Sequence, residues 1–458
     1  MEGGASGTTP YLIEPERDYK KYIFVHRGDE AARDYRYALP SIRVRPASAA
    51  EGAPYLAEPV FSDCTLPVVL YPMWASNVAH MFRDNAAKLW GALQRTRWAA
   101  QAKLVLVTAE GHAAPRMNYQ ILQPMSALRV ETWADFSARL PAGQASAGGG
   151  WLPAERLPGS DDPPAAPPAS VEGGPRRCFR QLLVCPRGFN TSTTGWPLHS
   201  LGQHLARHYA PQLPALPPPP LPPPQRAGRA AATPGSGSER VLSVIFQRRV
   251  SADRQLLNSA ELVARCNKWQ STTSAGRRVR AACQEVEMGD LLTGIAAAQA
   301  ADVFVAVHGA NQMNGWLMRP GGAVIELQPF GFDAGPAHLQ YPLFNLEDEG
   351  TRVQWWLISQ CDPRAWTPGV GEAEGTGQPS AWPKFRNIAL RWEALEVALQ
   401  AAANTASDMR EYRRRWDAGT WWWWAGPGGA MRPVGRGRRT QLRCPANSTD
   451  ERAAREGT

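Results

Sequence analysis

The stretch ADVFVAVHGANQMNGWLMRPGGAVIELQP, from Ala301 to Pro329, admits few folds. Val303 to Val307 is an unbroken apolar run, followed by the polar turn His308-Gly309-Ala310-Asn311. A short helix is expected through Met318. A Pro-Gly-Gly turn then leads into a second apolar run from Ala323 to Leu327. Apolar runs without alternation, bounded by turn residues, suit strands covered on both faces, as in a parallel sheet. In such sheets ligands gather beyond the carboxyl ends of the strands, often where a helix begins. His308 stands at such an end.

The flanking sequence continues the pattern. Strands are expected at Leu66 to Tyr71, Lys103 to Val107 and Phe179 to Val184, with a helix from Asn77 to Leu93. A second block begins with a strand from Val241 to Phe246 and a helix from Ser259 to Trp269. A strand from Val279 to Val286 follows, then an Ala-rich helix ending at Ala301, with Asp290 at its N-cap. Alternation of this kind argues for open α/β sheets. After Asn345 strand signals are few, and Phe385 to Ala402 reads as an amphipathic helix.

Residues 141 to 177 and 211 to 239, the latter with LPPPPLPPP and GSGS, are low in complexity and expected to be disordered insertions. The proline run reads as a spacer in preference to an SH3 or WW ligand. The resulting layout has an irregular lead-in (1–60), a first Rossmann-like domain (61–210), a Pro-rich linker (211–239), a second such domain (240–403) and a basic, Trp-rich tail (404–458). A chain of 458 residues can bury two cores of this size.

The net charge of +9 is carried mostly by arginine and is scattered, apart from Arg413 to Arg415 and Arg436 to Arg439. Without an interleaved aromatic and basic module, no nucleic-acid partner is expected. Attraction to phosphorylated substrates is the broader implication. The seven cysteines include no CxxC pair, which speaks against a zinc site, and an odd count leaves one free if the others pair. His204 and His208 have i, i+4 spacing, but Leu205 replaces the glutamate of a metalloprotease helix, so both are expected at the surface. Four consecutive tryptophans, Trp421 to Trp424, cannot share one face and lie in a glycine-rich setting. A loosely ordered tail or a docking strip is expected there. Sequons stand at Asn190 and Asn447. No signal peptide or membrane anchor is visible in this chain.

His308, Gly309, Ala310, Asn314, Pro320, Gly321, Val324, Glu326 and Pro329 make up a pattern that resembles the signature of glycosyltransferase family 61. That family includes plant xylan-decorating transferases and animal protein O-GlcNAc and O-mannose-extending transferases. Asn311-Gln312-Met313 stands where the family usually has Gly-Leu-Thr. FQRRVSADRQLLNSAEL is similar to a second family element through Arg248, Arg254, Asn258, Glu261 and Leu262, and SNVAHMFRDN to a third through Asn77, His80 and Asp84. The resemblance implies a GT-B-like fold, two facing Rossmann-like domains with a cleft between them. It also implies a UDP-linked donor, inversion, a glycan or glycoprotein acceptor, and a Golgi or endoplasmic reticulum lumen location.

Sugar transfer from a nucleotide donor requires that the diphosphate be neutralised, the nucleoside held and the acceptor hydroxyl deprotonated. No Asp-x-Asp occurs, and Glu347-Asp348-Glu349 reads as a solvated loop. Neither a metal nor another cofactor is therefore expected, arginine forks and helix dipoles taking the metal's place. Arg248 and Arg254 are the expected diphosphate ligands. Gly309 and Ala310 give close backbone approach, and Asn314 adds amide hydrogen bonds. Glu326 is expected on ribose hydroxyls or in a structural ion pair, since a carboxylate in an apolar run needs a partner. His308 would donate to a phosphate or to the leaving oxygen. His80, four residues before Asp84 on one helical face, would serve as general base, with Asn77 capping the helix or touching the ligand. The alternative is a catalytically silent relative that binds a glycan or a protein.

Overall fold

Parallel sheets form in both halves of the chain, as the apolar runs require. The computed structural model describes residues 66–70, 77–96, 102–107, 114–133, 197–218, 239–332, 353–370, 383–405 and 408–427, with short strands and single residues elsewhere. Residues 141–176 and 219–238, which hold most of both expected insertions, lie outside the described residues. Two units emerge: Met1–Ser192 with Trp196–Leu198, and Thr193–Gly195 with His199–Thr458.

In the first unit, strands β1 (Leu66–Leu70), β2 (Ala102–Leu106), β3 (Glu131–Thr132) and β4 (Leu183–Cys185) form an all-parallel sheet of order β4-β1-β2-β3. Helix α1 connects β1 to β2. It starts at Val78–His80, passes through a π-helical turn at Met81–Ala86 and ends as Ala87–Gln94. Its apolar face buries Met81, Phe82, Leu89 and Leu93. Lys103, fully buried on β2, is matched by Glu131 on the adjacent strand at 3.0 Å, which offsets the desolvation of both. The lead-in, expected to be irregular, contains an antiparallel pair, Tyr11–Glu16 with Ser41–Pro46.

The second unit holds an eight-stranded sheet. Its strands are β5 (Arg240–Arg248), β6 (Gln270–Thr272), β7 (Arg278–Glu287), β8 (Val303–Val307), β9 (Ala323–Gln328), β10 (Gln354–Gln360), β11 (Trp422–Ala425) and β12 (Met431–Pro433). The order is β6-β7-β5-β8-β9-β10-β11-β12, with only the outermost pairs antiparallel. Every residue of β8, β9 and β10 is buried, as expected of strands with both faces covered. The Ala-rich helix Leu291–Ala300 feeds β8, capped by Asp290, whose Oδ1 accepts from Thr293 N at 2.9 Å.

Three expectations are corrected. First, the helix Leu198–Tyr209, assigned above to the first domain, joins the second unit from His199 onward. A Cβ on Gly202 would collide with the Trp316 carbonyl, and Gln203 donates to Met318 O at 2.7 Å. Second, the late amphipathic helix starts at Trp392, not Phe385, and runs to Thr405. Third, the tryptophan run is no loose tail. Trp421 to Trp424 are 1–7% exposed, and β11 lies parallel to β10 with Leu357 opposite Trp422. Successive strand side chains face opposite sides of a sheet, so a strand covered on both faces accommodates Trp422 to Trp424, with Trp421 buried just ahead of it. Trp423 stacks on Trp356 at 5.7 Å, Trp421 on Trp416 at 4.0 Å, and Trp422 Nε1 donates to Ser359 Oγ at 2.9 Å. Two disulfides, Cys266–Cys283 and Cys361–Cys444, brace this unit.

Candidate functional site

The second sheet changes direction between β5 and β8. The chain leaves β5 to build β6 and β7 on one side, then returns to lay β8 against its other edge. Such a switch opens a crevice at the strands' carboxyl ends, because the connections on either side leave in opposite directions. Phe246 pairs with Val305, so Arg249 and His308 each follow by three residues and leave the sheet at the same level.

Arg248, the expected diphosphate ligand, is not at this crevice. It pairs with Glu287, its register partner on β7, and its side chain is 59% exposed. The alternation of the strand sends the next residue the other way. Arg249 and Arg254 converge on Gly309: a Cβ there would lie 2.7 Å from Arg254 Nη1 and closer still to Arg249 Nη2. Gly309 has φ 155° and ψ −175°, a region that only glycine occupies without strain. Both Nε atoms are enclosed without a hydrogen-bond partner. Burial, then the charge of Arg254, pushes Arg249 down to about 9 against the opposing pull of Asp253. Burial lowers Arg254 too, and Asp253 again opposes. Among the described residues neither guanidinium has an ion-pair partner within 4.0 Å.

His308 is buried, and its Nδ1 is joined to Glu326 Oε1 across the β8–β9 pair. Its backbone N–H donates to Leu327 O at 2.8 Å, and Phe332 packs against the ring at 4.5 Å. Glu326 has no exposed surface, so the expected ribose contact gives way to an internal one: the carboxylate fixes the imidazole. Its other oxygen is enclosed and unbonded. Ala310 opens the 3-10 turn Ala310–Met313, which Gln312 fastens by donating to Ala306 O at 2.9 Å. Asn314 is turned inward, donating to Asn311 O at 2.9 Å and packing under Gly294. Its amide holds the turn in place of the expected ligand.

In the first unit His80 Nδ1 meets Asp84 Oδ2 at 2.5 Å. The same carboxylate accepts from Arg83 Nε at 2.7 Å and Arg83 Nη2 at 2.8 Å. Burial opposes ionisation of Asp84, but the hydrogen bonds from His80 and Arg83 and the Arg83 charge prevail and hold it at about 2. The carboxylate is therefore charged at neutral pH. Asn77 is the helix cap, accepting from Ala79 N at 3.1 Å and His80 N at 3.3 Å. The π turn from Met81 sets His80 and Asp84 on one side, a device common at functional sites.

Sequence reasoning missed Arg249 as the residue facing Gly309, having chosen its neighbour Arg248. It took Phe385 onward as helix and missed the role of the segment from Pro383 to Leu390, where Lys384 Nζ lies 4.9 Å from the Phe385 ring and Arg254 Cζ 5.6 Å from it. Nothing in the local pattern marks its contact with the Arg254 loop, since the hydrogen-bond partners there are more than a hundred residues away.

The family model Glycosyltransferase 61 matches residues 67–325, which runs from β1 into the first half of β9 and covers more than half of the chain. A comparison with curated proteins finds no match.

Proposed function

Since the chain belongs to glycosyltransferase family 61, we propose that it moves a sugar from a UDP-linked donor to a hydroxyl of a glycan or protein, with inversion and without a metal. The observation that carries this reading is the pair of unpartnered guanidiniums, Arg249 and Arg254, aimed at Gly309 at the switch of the second sheet. Two partly buried like charges side by side are unfavourable unless an anion neutralises them. A diphosphate does so, and arginine forks bind its oxygens in pairs. The same two charges would stabilise the diphosphate as it leaves, the role a metal plays in other transferases.

His308, held by Glu326, stands beside this pair as donor to a phosphate or leaving oxygen. His80, held by Asp84, is assigned to the acceptor as general base. The carboxylate fixes the tautomer and orientation of the ring, which a base for a sugar hydroxyl requires. On this reading the two units are the acceptor and donor halves of a GT-B-type enzyme. Two disulfides are best preserved in an oxidising lumen, which supports a place in the secretory pathway.

The test is a panel of UDP-sugars assayed for UDP release and transfer, with UDP binding followed by calorimetry. Arg249→Met and Arg254→Met are each expected to weaken UDP binding by about 10-fold to 150-fold, one charged hydrogen-bonding group being worth roughly 1.5–3 kcal/mol. Arg248→Met should leave it unchanged. Wild-type protein that neither binds UDP nor releases it from any donor would overturn the reading and favour the silent relative.

A further inference from the structure

Arg254 is held in place against three opposing effects. Its φ of 59° is the only positive value at a non-glycine residue among the described residues. Left-handed backbone crowds the Cβ of any L-residue that adopts it, so it persists only where the surroundings impose it. The guanidinium is also partly desolvated, and it is repelled by Arg249 on one side and Lys384 on the other. Released, the loop from Val250 to Gln255 would relax and carry the charge away from Gly309.

The segment Pro383–Leu390 prevents that release. Asn387, buried, reaches across with both ends of its amide: Oδ1 accepts from Gln255 N at 2.7 Å, and Nδ2 donates to Ala252 O at 3.0 Å. These contacts bracket Arg254 on either side. Arg254 N itself donates to Phe385 O at 3.2 Å, and Ile388 N donates to Gln255 O at 2.9 Å. Phe385 offers its ring to the guanidinium at 5.6 Å. Three residues further, Asn258 exchanges hydrogen bonds with both the carbonyl and the N–H of Leu390, closing the clasp. The Pro383–Leu390 side of this clasp lies beyond residue 325, where the family match ends, while the loop it holds lies within the match.

We infer that Asn387 is a positioning residue for the anion site, acting through Arg254. The inference rests on the diphosphate reading above. Asn387 touches no ligand; it holds the loop whose strained residue presents the charge. Its removal should matter only while Arg254 is there to be positioned.

A double-mutant cycle on UDP affinity tests this, with thermal stability recorded for each protein. Asn387→Ala alone is expected to weaken UDP binding about tenfold, roughly what loss of alignment of one charge-assisted hydrogen bond costs. In an Arg254→Met background the same change should cost less than about twofold. In an Arg249→Met background it should again cost about tenfold. Equal losses in the wild-type and Arg254→Met backgrounds would mean that Asn387 merely supports the fold, and would overturn the inference. Should Asn387→Ala fail to fold, Asn387→Ser, which retains an acceptor for Gln255 N, carries the same cycle. Failure of the wild type to bind UDP would sink the functional reading itself, a separate outcome visible in the first titration.

Discussion

Replacing Gly309 by alanine adds a single methyl group at the point where the two guanidiniums meet. That methyl would lie 2.7 Å from Arg254 Nη1, whereas ordinary contact begins at 3.4 Å, so the group must retreat by the difference, about 0.7 Å, and Arg249 by more. A charge-assisted hydrogen bond to phosphate of about 2.8 Å would then stretch to about 3.5 Å, the limit beyond which it no longer counts as one. With roughly 1.5–3 kcal/mol for each such bond, losing one of them should raise the Kd for UDP by about 10-fold to 150-fold. The backbone adds a second cost, since alanine in this region of φ and ψ is strained by about 1–3 kcal/mol. Gly309→Ala should therefore unfold several degrees lower and bind UDP far more weakly, measured by calorimetry well below the new melting temperature. An alanine variant that binds UDP within twofold of wild type would refute the claim that the arginines converge on a ligand at this glycine.

Two further predictions follow from other parts of the molecule. The Asp84 carboxyl, held at about 2 against an ordinary 3.8, stabilises the fold by up to about 2 kcal/mol at neutral pH. Because its folded value is depressed, that contribution is present above about pH 4 and disappears as the pH falls through 2. Asp84→Asn should thus lose stability at pH 7 and flatten the acid limb between those values, as read from urea midpoints at a series of pH. Trp423→Ala should lower the unfolding free energy by about 3–5 kcal/mol, because the ring it removes lies in the core against Trp356. An unchanged midpoint would restore the picture of a loose tail.

What could be read from the sequence, and what could not, divides along physical lines. The strands β8 and β9 declare themselves because a strand buried on both faces is nearly continuously apolar, and polar or glycine-containing turns mark its ends. His308, the residue after β8, is legible for the same reason. The choice between Arg248 and Arg249 is not, since it depends on which side of the sheet the last pleat faces. A one-residue difference at a strand end is finer than pattern reading resolves. The tryptophan strand was misread because its composition has no alternation and its glycine neighbours suggest a turn. Burial on both faces removes any need for alternation, and Gly419, at φ 73°, ends the preceding helix rather than loosening the tail. The clasp at Asn387 has no local signature at all, because every bond it makes crosses a large sequence distance.

The place of β11 in the second sheet has a consequence for how the protein is made. The ribosome completes β9 with Gln328 and β10 with Gln360, yet β10 receives its outer neighbour only when Trp422–Ala425 has been added. At ordinary translation rates that interval lasts several seconds or more, during which Trp355 and Trp356 border an open strand edge. The nascent chain thus carries an adhesive surface that its last residues alone can seal. Chains truncated after Gln360 would keep that edge permanently open and should aggregate, whereas those extending through Pro433 should not.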